Sequence, residues 1–305
     1  MLIIGDTGTG KSYLCKTIAR VLNLPMVICN ATQYTSTGFV GLDVEEMLVS
    51  LKSEADRRMG EWDGYGIVYL DETDKIASRV VGSSGLMRNM YGSGVQQEML
   101  KLLENGMVRY GTKRSFGRDE YEFDVGKVMF FCGGAFDGLK EIIEKRIKIE
   151  RKIGFGVEKH DTPVEGIKNG CDNVLRYVSP QDLIQYGFMP EFVGRLNVIL
   201  VMDPLTEDDL VMIMTEPKNA ICRQYKELLS ASGIRLEITE SVVRNIARDA
   251  LKRGLGARGL RKVMSDILDP VVFENGNGHS KGTGSGVDIR ITEEEMEIAL
   301  GGAGV

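Results

Sequence analysis

Short apolar runs alternate with amphipathic segments along the first two thirds of the chain. Two of these segments, residues 44–51 and 95–103, carry apolar side chains at helical spacing. The apolar runs have the length of buried strands and cover residues 2–4, 25–29, 67–70, 128–132 and 198–201. Strands that alternate with helices favour an α/β fold, in which a parallel sheet has helices on both faces. We therefore predict a large α/β domain over residues 1–201.

The pattern changes at Thr206, which is a good N-cap and is followed by three acidic residues. Helical periodicity dominates after it, and the predicted helices cover residues 207–215, 217–231, 240–252 and 258–268. A late strand is predicted over 287–291. Residues 275–286 are rich in Gly, Asn and Ser, which is typical of a mobile loop. The sequence thus predicts a small, mostly helical C-terminal domain over residues 206–305.

Composition and charge argue against several classes of protein. The 305 residues are 43% hydrophobic and 27% charged, as in ordinary globular proteins, and the formal net charge of −6 argues against nucleic acid as a partner. No apolar run approaches the length of a membrane span, so we expect no membrane association. The five cysteines are widely spaced and form no C-x-x-C pair, which argues against a zinc site and a disulfide framework. A cytoplasmic location is therefore expected.

A phosphate-binding loop lies almost at the start of the sequence. Residues 5–12 match G-x-x-x-x-G-K-[ST] at every required position, between a predicted strand and a helical pattern. Glycines let successive backbone N–H groups point at phosphate oxygens, Lys11 supplies a positive charge, and Ser12 offers a hydroxyl to Mg²⁺. The loop residues predicted to bind ATP and Mg²⁺ are Gly5, Thr7, Gly8, Thr9, Gly10, Lys11 and Ser12.

The loop has little sequence before it. Only four residues precede Gly5, whereas most such ATPases use residues upstream of the first strand to enclose the adenine base. We expect either a chain that is truncated at its N-terminal edge or an adenine pocket that is built differently.

An acidic pair, Asp71 and Glu72, ends the predicted strand 67–70. Asp71 can hold Mg²⁺ through water, and Glu72 can orient and polarise an attacking water molecule. On its own, such a pair is more often a solvated strand end or a helix cap. In a chain that also has a phosphate-binding loop, it predicts an ATPase site, because ligands of parallel sheets bind at the carboxyl ends of strands.

Five further segments carry a family resemblance. They are residues 70–75, 94–97, 131–136, 190–196 and 256–261. Together they resemble the AAA+ protein unfoldases, and among these the ClpX family, the ATPase partners of the ClpP protease. The resemblance covers about residues 1–272. It implies a P-loop AAA+ fold and an ATPase that works as a homo-hexameric ring, threading unfolded or tagged proteins into a ClpP-like peptidase.

The resemblance also implies roles for two arginines. Arg195 matches the arginine finger that reaches the nucleotide of a neighbouring subunit, where a guanidinium stabilises charge on the transferred phosphoryl group. Arg258 matches the sensor-2 arginine of the small domain, which faces the γ-phosphate. Outside their motifs, both residues would be read as ordinary surface charges. An arginine on each domain gives the nucleotide a way to set the angle between the domains.

Two short segments resemble the parts of the family that contact other proteins. Phe39 and Val40, between two glycines, match the pore loop that grips polypeptide, where the family has Gly-Tyr-Val-Gly. Ile153, Gly154 and Phe155 match the tripeptide that docks on ClpP, and they lie in a charged stretch where apolar residues suggest a partner. Without the resemblance, both segments would be read as loops whose apolar residues pack locally.

The sequence departs from the family in ways that keep other functions open. No cysteine cluster could form the family's N-terminal zinc domain, and residues 111–118 are basic but lack the His of its Arg-Lys-His entrance loop. The alternative to an unfoldase is a truncated, hydrolysis-deficient ring subunit or binding module. An ATPase that acts on nucleic acid also fits the phosphate loop, although the acidic net charge and Phe39 argue against it.

Overall fold

The computed structural model describes residues 1–35, 41–78, 85–104, 106–114, 117–153, 173–231, 233–276 and 287–291. Within these ranges, only the backbone is described for residues 59, 85–91, 112–114, 117–119, 150–153, 271–276 and 287–290. Contacts divide the chain into two compact units. One contains Met1–Asp6 and Lys11–Asp203, and the other contains Thr7–Gly10 and Pro204–Val305.

The strands, in chain order, are β1 (Leu2–Ile4), β2 (Met26–Asn30), β3 (Gly66–Asp71), β4 (Met107–Arg114), β5 (Gly117–Asp124), β6 (Val128–Gly134), β7 (Ile199–Val201), β8 (Ile234–Ile238) and β9 (Val287–Ile291). The helices are α1 (Lys11–Val21), α2 (Glu46–Met59), α3 (Gly85–Glu104), α4 (Leu139–Ile153), α5 (Pro180–Tyr186), α6 (Pro190–Gly194), α7 (Glu207–Thr215), α8 (Ile221–Ser230), α9 (Glu240–Lys252) and α10 (Gly256–Gly276).

The first unit is built on a five-stranded sheet in the order β2-β3-β6-β1-β7, and every pairing in it is parallel. Consecutive residues of these strands are apolar, as in β1 and β3. Because successive side chains of a strand point to opposite faces, both faces of the sheet are apolar. Ile3 and Tyr69 pack with Cys15 of α1 on one face. Leu2 and Leu70 pack on the other face, which is covered by α2, α3 and α4. The predicted parallel sheet with helices on both faces is confirmed.

An antiparallel hairpin, β4–β5, also belongs to the first unit. Val108 and Phe123 are opposite each other and are buried in the same core as α2 and α3, which anchors the base of the hairpin. On the other side of the strands, Arg109 and Glu122 form an exposed ion pair at 3.0 Å. The sequence pattern does not predict this hairpin, because its strands are largely polar and carry no buried run.

The second unit has its own core, formed by α7, α8, α9 and α10 with β8. Thr206 caps α7 as predicted: its hydroxyl accepts from the Asp209 N–H, and the Asp209 carboxylate accepts from the Thr206 N–H. The small, mostly helical character is confirmed, with one addition, because β9 pairs in parallel with the unpredicted strand β8. Of the predicted loop 275–286, the first two residues belong to α10 and the rest lie outside the described residues.

The predicted boundaries of the two domains, residues 1–201 and 206–305, stay a prediction. Among the described residues, no helix is both long enough and apolar enough to cross a membrane. The four cysteines that lie within the described ranges, Cys15, Cys29, Cys132 and Cys222, are buried free thiols.

Candidate functional site

The phosphate-binding loop follows β1 and ends where α1 begins. Gly10 has a φ of 93°, a left-handed conformation that a side chain would strain, although the space around it is open. Gly8 also has a positive φ of 84°, and a Cβ there would lie 2.6 Å from the carbonyl oxygen of Leu255. Backbone conformation therefore favours glycine at Gly10, the second glycine of the motif, and at Gly8, which lies between the two glycines of the motif. At Gly8 a side chain would also lack space.

Lys11, the first residue of α1, is buried. Its ammonium donates to the carbonyl oxygens of Gly5 and Asp6, at 2.5 and 2.9 Å. The charge is thus held inside the curve of its own loop, beside backbone carbonyls. Burial of an ammonium is costly without such partners. A phosphate group close to Lys11 would place a negative charge beside this buried ammonium and accept a charge-assisted hydrogen bond from it.

Asp71 and the phosphate-binding loop lie at the same edge of the sheet. Asp71 is the last residue of β3, and Gly5 directly follows β1; a single strand, β6, separates the two. Neighbouring strands are about 4.8 Å apart, so roughly 10 Å separates the two strand ends. The charge of Asp71 also reaches α1: burial, with Asp71 as the second cause, raises the pKa of Cys15 to about 12. The structure therefore brings together two segments that the sequence predicted to meet.

Tyr69 and Gly133 fix the position of the Asp71 carboxylate. The buried Tyr69 hydroxyl donates to Asp71 Oδ1 at 3.2 Å, and burial followed by the Asp71 charge raises the pKa of this phenol. Gly133 of β6 leaves the space for it, since a Cβ there would lie 2.1 Å from the hydroxyl oxygen. The Glu72 N–H also donates to Asp71 Oδ1, at 3.0 Å. These contacts occupy Oδ1, and no described hydrogen bond involves Oδ2.

Glu72 combines an unusual backbone with an exposed carboxylate. Its φ of 56° is left-handed, which costs a residue with a side chain of the order of 1 kcal/mol or more. Its Oε2 accepts a hydrogen bond from Asn30 Nδ2 at 3.0 Å. Asn30 ends β2 directly beside Asp71, and its own Oδ1 accepts from the Thr32 N–H at 2.9 Å. The Asn30 amide is therefore held in the orientation that donates to Glu72.

The sequence pattern alone does not identify Asn30 as a residue of the site. The signal that could have found it is a polar side chain at the carboxyl end of a strand next to the one that ends in Asp71. That signal requires the knowledge that β2 and β3 are neighbours, which the apolar pattern does not provide.

Arg195 immediately follows the short helix α6. Its guanidinium forms an ion pair with Glu104, the last residue of α3, at 2.6 Å, and both side chains are about half exposed. Exposed ion pairs of this kind contribute only about 0–1 kcal/mol, so the guanidinium can leave Glu104 at little cost. No described hydrogen bond joins Arg195 to Lys11, Asp71 or Glu72 of the same chain.

The remaining predicted residues are described in part. Arg258 is an exposed residue near the start of α10, and no described ion pair involves it. Ile153 is the last residue of α4, and only its backbone is described. Phe39, Val40, Gly154 and Phe155 lie outside the described residues. The roles of all the predicted site residues stay predictions.

The oxygen atoms at the edge of the sheet fit a hard cation such as Mg²⁺. Ser12 offers a hydroxyl and Asp71 a carboxylate, and Mg²⁺ is commonly held by such groups together with water and substrate phosphates. Among the described residues, no cluster of three or more His, Cys, Asp or Glu side chains could hold a metal ion by itself.

Comparison with known protein families decides the classification. Residues 1–199 match the AAA domain (Cdc48 subfamily). The chain belongs to the AAA family. Residues 205–282 of this AAA protein match the C-terminal, D2-small domain of ClpB protein.

Two curated relatives make the similarity more specific than the family match alone. The ATP-dependent Clp protease ATP-binding subunit ClpX 3 of Methylococcus capsulatus is 41% identical over 283 residues, which cover 90% of this AAA protein and 63% of the relative. The ATP-dependent Clp protease ATP-binding subunit ClpX of Bacteroides thetaiotaomicron is 38% identical over 277 residues, or 90% and 65% of the two chains. The predicted resemblance to ClpX and to the AAA+ ATPases is confirmed. The chain spans less than two thirds of the length of either relative.

Proposed function

We propose that this chain is the ATPase core of a ring-forming protein unfoldase, which binds ATP with Mg²⁺ and threads unfolded or tagged proteins into a ClpP-like peptidase. The observation that supports it most is the edge of the sheet where Lys11, Asp71 and Glu72 lie, since these residue types are the ones phosphoryl transfer to water requires. The names of the two relatives support the Clp protease as the partner. The cytoplasmic location stays a prediction.

The chemistry needs positioning and charge rather than covalent intermediates. Lys11 and the N–H groups of residues 5–12 bind the phosphates, and Ser12 with Asp71 would hold Mg²⁺. When bound, Mg²⁺ would neutralise charge on the β- and γ-phosphates. Glu72 orients the attacking water. Arg195 is proposed to act as an arginine finger on the phosphates bound by a neighbouring subunit. Arg258 is proposed to act as the sensor-2 arginine that faces the γ-phosphate.

A homo-hexameric ring is proposed because Arg195 has a described partner in its own chain, Glu104, and no described hydrogen bond or ion pair with its own Asp71–Glu72 pair. A finger residue acts on the nucleotide of a neighbouring subunit, where it stabilises developing charge. The ion pair with Glu104 would open when the neighbour's nucleotide takes its place.

The decisive experiment compares three activities of the chain with a ClpP-like peptidase: ATP turnover, unfolding of a tagged fluorescent protein, and its degradation. We expect unfolded protein, and not DNA, to stimulate ATP turnover. Deletion of residues 153–155 should abolish degradation and leave the other two activities nearly intact. These residues are the proposed docking segment, and several weak docking contacts on one ring together gain roughly 10²–10⁴ in avidity.

Three results of this experiment would contradict parts of the proposal. Absence of ATP turnover in the parent chain would favour the hydrolysis-deficient subunit. Stimulation by DNA would favour an ATPase that acts on nucleic acid. Degradation that survives the deletion would show that residues 153–155 do not dock.

Asn30→Ala should lower ATP turnover about tenfold and leave the affinity for ATP within about twofold. The substitution removes the donor that orients Glu72, and positioned groups typically contribute factors of this size or more. Turnover and nucleotide affinity are measured separately on the purified chain. Thr32→Val is the control, because it removes the Thr32 hydroxyl that donates to Asn30 and keeps the Asn30 amide. Equal turnover in Asn30→Ala and the parent would show that Glu72 needs no such partner.

A further inference from the structure

A tyrosine of the hairpin contacts the base of the segment that contains Phe39 and Val40. The Tyr110 hydroxyl lies 3.2 Å from Asp43 Oδ2 and 3.2 Å from Glu46 Oε1. Tyr110 belongs to β4, whereas Asp43 and Glu46 belong to the turn that begins α2, so the contact joins residues more than sixty positions apart in the chain.

The base of this segment is closed by main-chain hydrogen bonds. The Thr35 N–H donates to the Leu42 carbonyl at 3.1 Å, and the Leu42 N–H donates to the Gln33 carbonyl at 3.1 Å. Asp43 follows Leu42 directly, and the Glu46 N–H donates to the Asp43 carbonyl at 3.1 Å. The two acceptors of Tyr110 are therefore fixed to each other and to the point where the chain returns from residues 36–40.

The Tyr110 phenol is suited to hold these two carboxylates. Burial, followed by the charges of Glu46 and Asp43, raises the pKa of Tyr110, so the hydroxyl remains a donor at neutral pH. A hydroxyl has one proton to donate, so it satisfies one carboxylate at a time and can exchange between the two. Two residues before Tyr110, Val108 anchors β4 in the core, and it lies on the same side of the strand as Tyr110.

We propose that Tyr110 is a positioning residue that couples hairpin β4–β5 to the base of the segment containing Phe39 and Val40, and thereby sets how tightly the chain holds a polypeptide. The role rests on the unfoldase function proposed above. Tyr110 does not touch nucleotide-binding residues in the described contacts. Its loss should therefore change the concentration of polypeptide needed for stimulation, and leave the maximal rate of ATP turnover unchanged.

The hairpin itself offers a matched control. Tyr121 of β5 is directly opposite Tyr110, and its ring stacks on Phe123 with 6.0 Å between the ring centroids. No described hydrogen bond involves the Tyr121 hydroxyl. Tyr121→Phe therefore makes the same chemical change on the same side of the same hairpin and leaves the contact with Asp43 and Glu46 in place.

The test uses the full chain, with a carboxymethylated, unfolded protein as the polypeptide. In Tyr110→Phe we expect the half-saturating polypeptide concentration to rise about fivefold, the factor that one lost hydrogen bond typically gives, with basal and maximal ATP turnover within about twofold of the parent. Hydrogen exchange at the Thr35 and Leu42 amides should be faster by a similar factor. Tyr121→Phe should match the parent in both measurements.

A second comparison separates the contact from a general effect on folding. In a chain that carries Asp43→Asn and Glu46→Gln, adding Tyr110→Phe should change the half-saturating concentration by less than it does in the parent, because the coupled groups are already altered. Full additivity would overturn the proposal. Equal behaviour of the two tyrosine variants would overturn it as well.

The two proposals fail in different ways. If the parent chain has no polypeptide-stimulated turnover, the unfoldase function is wrong, and hydrogen exchange still tests the contact made by Tyr110. If exchange at Thr35 and Leu42 is faster in Tyr110→Phe and the half-saturating concentration is unchanged, the role of Tyr110 in holding polypeptide is wrong, and the unfoldase function stands.

Discussion

Glu72→Gln should lower ATP turnover by roughly 10²-fold or more and leave ATP bound. An amide cannot polarise the attacking water as a carboxylate does, so the chemical step is lost. The substitution is conservative in structure, because the new side chain keeps an oxygen that can accept the hydrogen bond from Asn30 and no contact in the core changes. Turnover is measured by phosphate release, and binding by titration with a fluorescent ATP analogue.

Two further variants separate hydrolysis from binding. Lys11→Ala should weaken ATP binding itself, since it removes the buried charge that faces the loop carbonyls of Gly5 and Asp6. Lys16→Ala, an exposed residue of the same helix, is the control and should bind ATP as the parent does. Parent-like turnover in Glu72→Gln would show that another residue activates the water.

Arg195→Ala should lower ATP turnover about 10³-fold, the lower end of the range known for arginine fingers. The effect on folding should be small, because both side chains of the ion pair with Glu104 are about half exposed. Arg176→Ala is the matched control: Arg176 also forms an exposed ion pair, with Asp203, in the same unit. Its turnover should stay within about twofold of the parent.

Mixing two inactive variants tests whether the finger acts between subunits. A ring that contains both Arg195→Ala and Glu72→Gln chains has interfaces where an intact Arg195 meets an intact Glu72. Some ATP turnover should therefore return on mixing. If mixing restores nothing, while light scattering shows mixed rings, Arg195 acts within its own chain. If the chain with ATP remains a monomer at micromolar concentration, the ring itself is wrong.

The sequence predicted much of the first unit because its signals are local. Five apolar runs became the five strands of the parallel sheet, and the strict G-x-x-x-x-G-K-[ST] spacing identified the loop after β1. The hairpin β4–β5 and strand β8 escaped because they are largely polar or alternate with charged residues, as in Arg235 and Glu237. Such strands are stabilised by their partner strand and by a few buried residues, which a short window does not reveal.

By itself, the sequence determined the five strands of the parallel sheet, the helices of the second unit, the phosphate-binding loop, the acidic pair and the family. These follow from residue spacing within a few turns of chain, and the same spacing decides the local backbone. The tertiary structure alone decided which side chains meet at the edge of the sheet and beyond it. Asn30 reaches Glu72, Tyr69 reaches Asp71 past Gly133, Glu104 holds Arg195, and Tyr110 contacts Asp43 and Glu46. Most of these contacts depend on strand order and on how helices cover the sheet, which are set by packing between distant segments and leave no periodic signal in the chain.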